Sequence, residues 1–198
     1  AAKEERAPLI LQISKGAREY AKMVYLRALI NAAVEDSGDL PIAIHLDHGD
    51  SVELCKQCVD DGFTSIMIDA SKHPFEENIR ITKEVVDYCH PRGVTVEAEL
   101  GQLGGIEEHV VGVDDPMKHL TDPNQVAEFW QRTGCDSLAV AIGTSHGAYK
   151  FKSAPKLAID RVSEIMEKAP GLPLVMHGSS SVLQEFVEEI NKYGGNMP

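Results

Sequence analysis

The sequence predicts an α/β protein on a parallel sheet, either a β/α barrel or a related open sheet. Three observations carry that prediction. Six short apolar runs alternate with amphipathic helical patterns along 198 residues. The runs end in polar, chemistry-bearing residues. Three of those ends deliver a histidine followed directly by glycine: His48 in PIAIHLDHGD, His146 in SLAVAIGTSHGAYK and His177 in LPLVMHGSSS. Strict β-then-α alternation implies parallel strands joined by right-handed crossovers. Ligand sites of such sheets lie at the carboxyl ends of the strands.

After KEER, which reads as part of a surface helix, the first strand is PLILQI (8–13). Val24, Leu26, Leu29 and Ile30 give helical spacing to the segment 17–36, which Ser37-Gly38 ends. PIAIHLD (41–47) is the second strand, followed by a helix at 51–61 that stops at Asp61-Gly62. SIMID (65–69) is the third, and Ile79, Ile81, Val85 and Val86 mark the helix 76–90 before Arg92-Gly93. TVEAEL (95–100) is the fourth. The stretch between Glu99 and Thr121 lacks periodicity, and an aperiodic loop of that length is read as a functional lid. Thr121-Asp122-Pro123 opens the helix 122–133, with proline in its first turn and Thr133-Gly134 at its end. SLAVAI (137–142), a helix at 155–168, LPLVMH (172–177) and a helix at 182–193 complete the order. Six βα units do not close an eight-stranded barrel. The residues alone leave two readings, an open six-stranded sheet or a barrel lacking one strand at each end. Without a linker or a repeat, residues 1–198 are expected to be a single domain.

Composition narrows the function. With 31 acidic and 19 basic residues the formal net charge is -12, which argues against nucleic acid as a partner, because phosphates demand a basic surface. No apolar run approaches the length of a membrane span, and AAKEERAPLILQIS lacks the order of a signal peptide, so a cytoplasmic protein without a membrane partner is expected. Cys55, Cys58, Cys89 and Cys135 are too scattered for a disulfide framework, and the Cys55–Cys58 pair sits inside a helical pattern where packing is its expected role.

A lone histidine is usually structural, as His73, His90, His109 and His119 are expected to be. His48, His146 and His177 differ because three strand ends can bring three imidazoles to one metal ion. Three neutral imidazoles with an open fourth position describe a catalytic zinc site, since a structural one closes with a fourth protein ligand. Such a metal polarises a carbonyl as a Lewis acid. Asp47, beside His48, is placed for proton transfer, or alternatively to orient a ligand. Gly178-Ser179-Ser180 precedes the last helix, and backbone N–H groups at a helix start suit a phosphate.

Asp47-His48-Gly49, Met67-Ile68-Asp69, Glu97-Ala98-Glu99-Leu100-Gly101 with Gly104-Gly105, Gly143-Thr144-Ser145-His146-Gly147 and His177-Gly178-Ser179-Ser180-Ser181 together resemble the class II, zinc-dependent fructose-bisphosphate aldolases, with tagatose-bisphosphate aldolases as close relatives. The resemblance spans essentially the whole chain. It implies a β/α (TIM) barrel of which strands two to seven are present, without the first and last. It implies reversible cleavage of fructose 1,6-bisphosphate to dihydroxyacetone phosphate and glyceraldehyde 3-phosphate, with zinc stabilising the enediolate. His48, His146 and His177 would be the zinc ligands, Asp47 the acid/base, and Asp69 and Glu99 auxiliary carboxylates near the metal. Glu107, or its neighbour Glu108, resembles the acid that exchanges the carbon-bound proton. Gly147, Gly178 and Ser180 resemble ligands of phosphate and of a monovalent cation, Na+ or K+, and Ser14 resembles a serine that touches substrate. A phosphorylated sugar substrate and a homo-oligomer, dimer or larger, follow from the same resemblance. No lysine lies within the six strands, which disfavours a Schiff-base aldolase. The rivals are a tagatose-bisphosphate aldolase, a zinc hydrolase on the same scaffold, and a non-catalytic metal- or phosphate-binding fragment.

Overall fold

The computed structural model describes residues 2–102, 104–107, 110–111, 116–146, 157–179 and 184–192. The chain divides into two compact units, Ala1–Asp69 with Glu84–Glu97, and Ala70–Lys83 with Ala98–Pro198.

In the first unit a short helix α1 (Ala2–Glu5) precedes β1 (Leu9–Ile13), β2 (Ile42–Gly49) and β3 (Ser65–Ile68), and the opening residues of β4 (Thr95–Leu100) continue the order β1-β2-β3-β4. β1 and β2 are parallel, in register from Leu9 opposite Ile42 to Ile13 opposite Leu46. β2 and β3 are parallel too, with Leu46 opposite Ile66. The helix expected over 17–36 is instead two, α2 (Lys15–Ala21) and α3 (Met23–Ser37), divided at Lys22, whose φ is 54°. EYAKMVY contains no glycine or proline to announce that break, and lysine seldom adopts a left-handed backbone. α4 (Val52–Asp60) begins at Ser51, whose Oγ accepts from the Leu54 N–H at 3.3 Å. Its buried face carries Cys55, Cys58 and Val59, which join Leu46, Ile66 and Met67 in the core. All four cysteines are buried thiols outside any disulfide, in keeping with a packing role. α5 (Phe75–Cys89) adds Val85, Val86 and Cys89 to this core and runs into a 3-10 turn, His90–Arg92, closed by Gly93 at φ 71°.

The second unit holds the end of β4 with β7 (Ser137–Val140) and β9 (Leu174–Val175), in the order β4-β7-β9. β7 and β9 are parallel, Leu138 facing Leu174. α6 (Pro123–Thr133) starts as expected. Asp122 accepts from the Asn124 N–H at 2.9 Å, Pro123 needs no partner for an N–H it lacks, and Gly134 at φ 72° ends the helix by donating to the Trp130 carbonyl. α7 (Asp160–Lys168) and α8 (Gln184–Lys192) follow. Val126, Phe129, Leu138, Ile142 and Ile165 are fully buried.

The segment after β4, read as aperiodic, contains further strands. β5 (Gly104–Glu107) and β6 (Val110–Val111) form an antiparallel pair, and β8 (Ser145–His146) joins β5 in parallel to give a small sheet of order β6-β5-β8. Strands of two to four residues are too short for a period-2 pattern to be read. Among the described residues no helix is long and apolar enough to cross a membrane.

Candidate active site

The site begins with a defect in a ladder. Leu46 pairs with Ile66 and Gly49 with Ile68, so β2 spends one more residue than β3 over the same distance. A β-bulge absorbs it, and bulges turn side chains off the normal alternation. Asp47 and His48 occupy this bulge, and His48 takes a φ of 46°, one of three positive-φ non-glycine residues described. Strain of that kind persists where neighbours over-determine the backbone. Here they do: the Gly49 carbonyl accepts from the Asp69 N–H at 2.9 Å. A Cβ on Gly49 would lie 2.6 Å from the Met67 carbonyl oxygen and 2.9 Å from Cys55 Sγ. Only glycine fits, and the buried α4 cysteine is part of the reason.

The bulge sets His48 between two carboxylates. Its Nδ1 lies 3.1 Å from Asp69 Oδ2, and its Nε2 lies 4.0 Å from Asp47 Oδ1. The three side chains are largely but not wholly buried. Three residues earlier on β2, His45 is bound from both sides, with Nδ1 2.8 Å from Ser65 Oγ and Nε2 3.8 Å from Glu97 Oε2, and both His45 and Glu97 are buried. An imidazole held by a carboxylate at one nitrogen is fixed in orientation for a metal at the other. Imidazole nitrogen with carboxylate oxygen is also a donor set that zinc accepts. The residues of this unit therefore fit a divalent metal.

In the second unit Glu99 is buried on β4, and its backbone carbonyl accepts from Asn78 Nδ2 at 2.9 Å. His146 is the second residue of β8, opposite Gly105, and Glu107 ends β5 opposite Val110. His177 and Gly178 form a half-buried turn after β9, with Gly178 at φ 71°. Ser14 caps α2, accepting from the Ala17 N–H at 3.3 Å. Lys15 is the first residue of that helix and lies 3.5 Å from Asp50. Gly147, Ser180 and Glu108 lie outside the described residues.

Two buried residues here were not singled out from sequence. Thr144 is fully buried, and its Oγ1 has no hydrogen-bond partner among the described residues. Buried hydroxyls are seldom left so. Its place inside Gly143-Thr144-Ser145-His146 was the available signal. Thr121, read only as a helix opening, is buried and bonded on three sides.

Strand-end imidazole and carboxylates on a β/α scaffold define the class of barrel proteins built to hold a metal at the carboxyl ends of their strands. The family model "Fructose-bisphosphate aldolase class-II" matches residues 1–196, and the chain belongs to that metal-dependent family. A fructose-bisphosphate aldolase of Giardia intestinalis is 59% identical over 195 residues, covering 98% of this chain and 59% of that protein. One from Treponema pallidum is 46% identical over 213 residues, covering 98% of this chain and 63% of that protein. Among solved structures, the YdjI aldolase from Escherichia coli K12 superimposes with a TM-score of 0.79 at 38% identity, covering 95% of this chain and 64% of the other. The chain thus spans less than two thirds of the length of these relatives. Its six-strand β/α arrangement is that of a barrel rather than of an unrelated open sheet.

Proposed function

We propose that this chain carries the catalytic centre of a zinc-dependent aldehyde-lyase that reversibly cleaves fructose 1,6-bisphosphate into dihydroxyacetone phosphate and glyceraldehyde 3-phosphate. The observation that carries the reading is the strained bulge at Asp47-His48 with Asp69 against the imidazole, within a chain of class II aldolase sequence. His48, His146 and His177 hold the zinc in this reading, and Asp69 and Glu99 serve as neighbouring carboxylates. When bound, zinc supplies the Lewis acidity that draws electrons toward the substrate ketone. Asp47 takes the proton of the C4 hydroxyl as the C3–C4 bond breaks and the aldehyde forms. The electron pair left on C3 is quenched by a proton from Glu107. Gly147, Gly178 and Ser180 receive a phosphate, and Ser14 lies toward the substrate. The Thr144 hydroxyl, which has no partner among the described residues, is a hard oxygen donor of the kind a hard cation takes, which supports a Na+ or K+ ion nearby. A single catalytic domain over residues 1–198, a homo-oligomer and a cytoplasmic setting complete the reading.

The test is cleavage of fructose and tagatose 1,6-bisphosphates with metal content measured on the same sample. Activity should be greater on the fructose ester, vanish with a chelator and return with zinc. Cleavage that resists the chelator and leaves a borohydride-trapped lysine adduct would overturn the proposal, as would a zinc-loaded protein that hydrolyses esters without aldol cleavage.

A further inference from the structure

Thr121 stands between two neighbouring strands and does the work of a missing strand residue. Its Oγ1 donates to the Leu100 carbonyl at the end of β4 and accepts from the Ala141 N–H, 2.8 Å away, just beyond β7. Its own N–H donates to the Ala141 carbonyl at 3.0 Å, and its carbonyl accepts from Arg161 Nη1 at 3.1 Å. Next to it, Gly101 has a φ of 92°, and a Cβ there would lie 2.9 Å from both Thr121 N and Oγ1. A second rung closes the base of the intervening segment, where the Gln102 N–H donates to the His119 carbonyl at 2.9 Å.

β4 and β7 are adjacent in the sheet, so Thr121 wedges them apart at Leu100 and Ala141. Beyond the wedge the same two chain segments meet again directly, with Gly104 opposite Ser145 and Gly105 opposite His146. The sequence offset of these pairs equals that between Leu100 and Ala141, so the register on one side of Thr121 is kept on the other. A slip of one residue would reverse every position along such a ladder. Ser145 or Gly147 would then take the place of His146.

We propose that Thr121 is a positioning residue that fixes the register in which β5 meets β8 and thereby seats His146. The consequence for metal rests on the proposed role of His146 as a ligand. The T121V variant keeps the branched shape and removes the hydroxyl, whereas T121S keeps the hydroxyl. In T121V, hydrogen exchange at Ala141 and across Gly104–Glu107 and Ser145–His146 should rise about tenfold, with β1 and β2 unchanged. Zinc affinity, measured by competition with a chromophoric chelator, should fall about 10- to 100-fold. T121S should restore both. A folded T121V with native exchange and native zinc affinity would overturn the proposal, and so would a T121S protein as impaired as T121V. If T121V fails to fold, exchange in the unmodified chain decides: Ala141 and His146 amides must be protected like those of β7, and unprotected amides there would refute the register role. A chain that binds no zinc at all would remove the metal function while leaving the exchange result to judge Thr121 separately.

Discussion

His48 Nδ1 lies 3.1 Å from Asp69 Oδ2, across the end of two parallel strands whose registers differ by one residue. The contact depends on the bulge: regular β2 would direct Asp47 and His48 to opposite faces. Asp69→Ala should therefore lower zinc affinity about 10- to 100-fold with the fold intact, because the imidazole loses the group that orients it. Chelator competition with circular dichroism checks both halves, and an unchanged affinity would show that the carboxylate has no bearing on metal.

Gly49→Ala should destabilise the protein by about 1–3 kcal/mol or more, since the new methyl meets the Met67 carbonyl, which cannot rotate away, as well as Cys55 Sγ. Urea unfolding of the variant measures this. A stability equal to that of the parent would mean that the bulge relaxes freely, and the strained seat of His48 would lose its explanation.

Asp47→Asn should retain zinc and lose about 10²-fold or more in turnover, the typical size of positioned proton transfer. Glu107→Ala should retain zinc as well and lose exchange of the carbon-bound proton of dihydroxyacetone phosphate. Steady-state kinetics and proton-exchange NMR separate the two. Wild-type turnover in the Asp47 variant would leave that carboxylate only an orienting role.

Stability should decline in alkali for a reason lodged in α4. Burial raises the Cys58 thiol from its usual 9.0 to about 11. Burial, reinforced by Cys58 and Cys89, pushes Cys55 higher still. The folded state thus holds these protons more tightly than the unfolded chain. The contribution of Cys58 is fully present below pH 9.0 and is lost as the pH climbs through about 11, and that of Cys55 is lost further into alkali. Urea midpoints taken from pH 7 upward should fall across that window, and native thiols should resist alkylation at pH 8. Rapid modification of Cys55 or Cys58 in the folded protein would contradict their burial.

By itself the sequence determined the alternation of elements, the six sheet strands within a few residues, most helix ends, and the strand-end motifs that mark the aldolase family. These are local signals: apolar periodicity reports burial, glycine and proline report chain reversal, and Asp122-Pro123 carries its cap within three residues. Tertiary structure alone decided the break at Lys22, the bulge that turns Asp47 and His48 together, the β5–β6 pairing within an aperiodic stretch, and the wedge of Thr121 between β4 and β7. Each of these is fixed by groups distant in sequence, such as the Met67 carbonyl against Gly49 or the Ala141 amide on Thr121. A positive φ at lysine or histidine and a two-residue strand are unfavourable taken locally. They exist because cross-strand hydrogen bonds and a packed core outweigh that local cost.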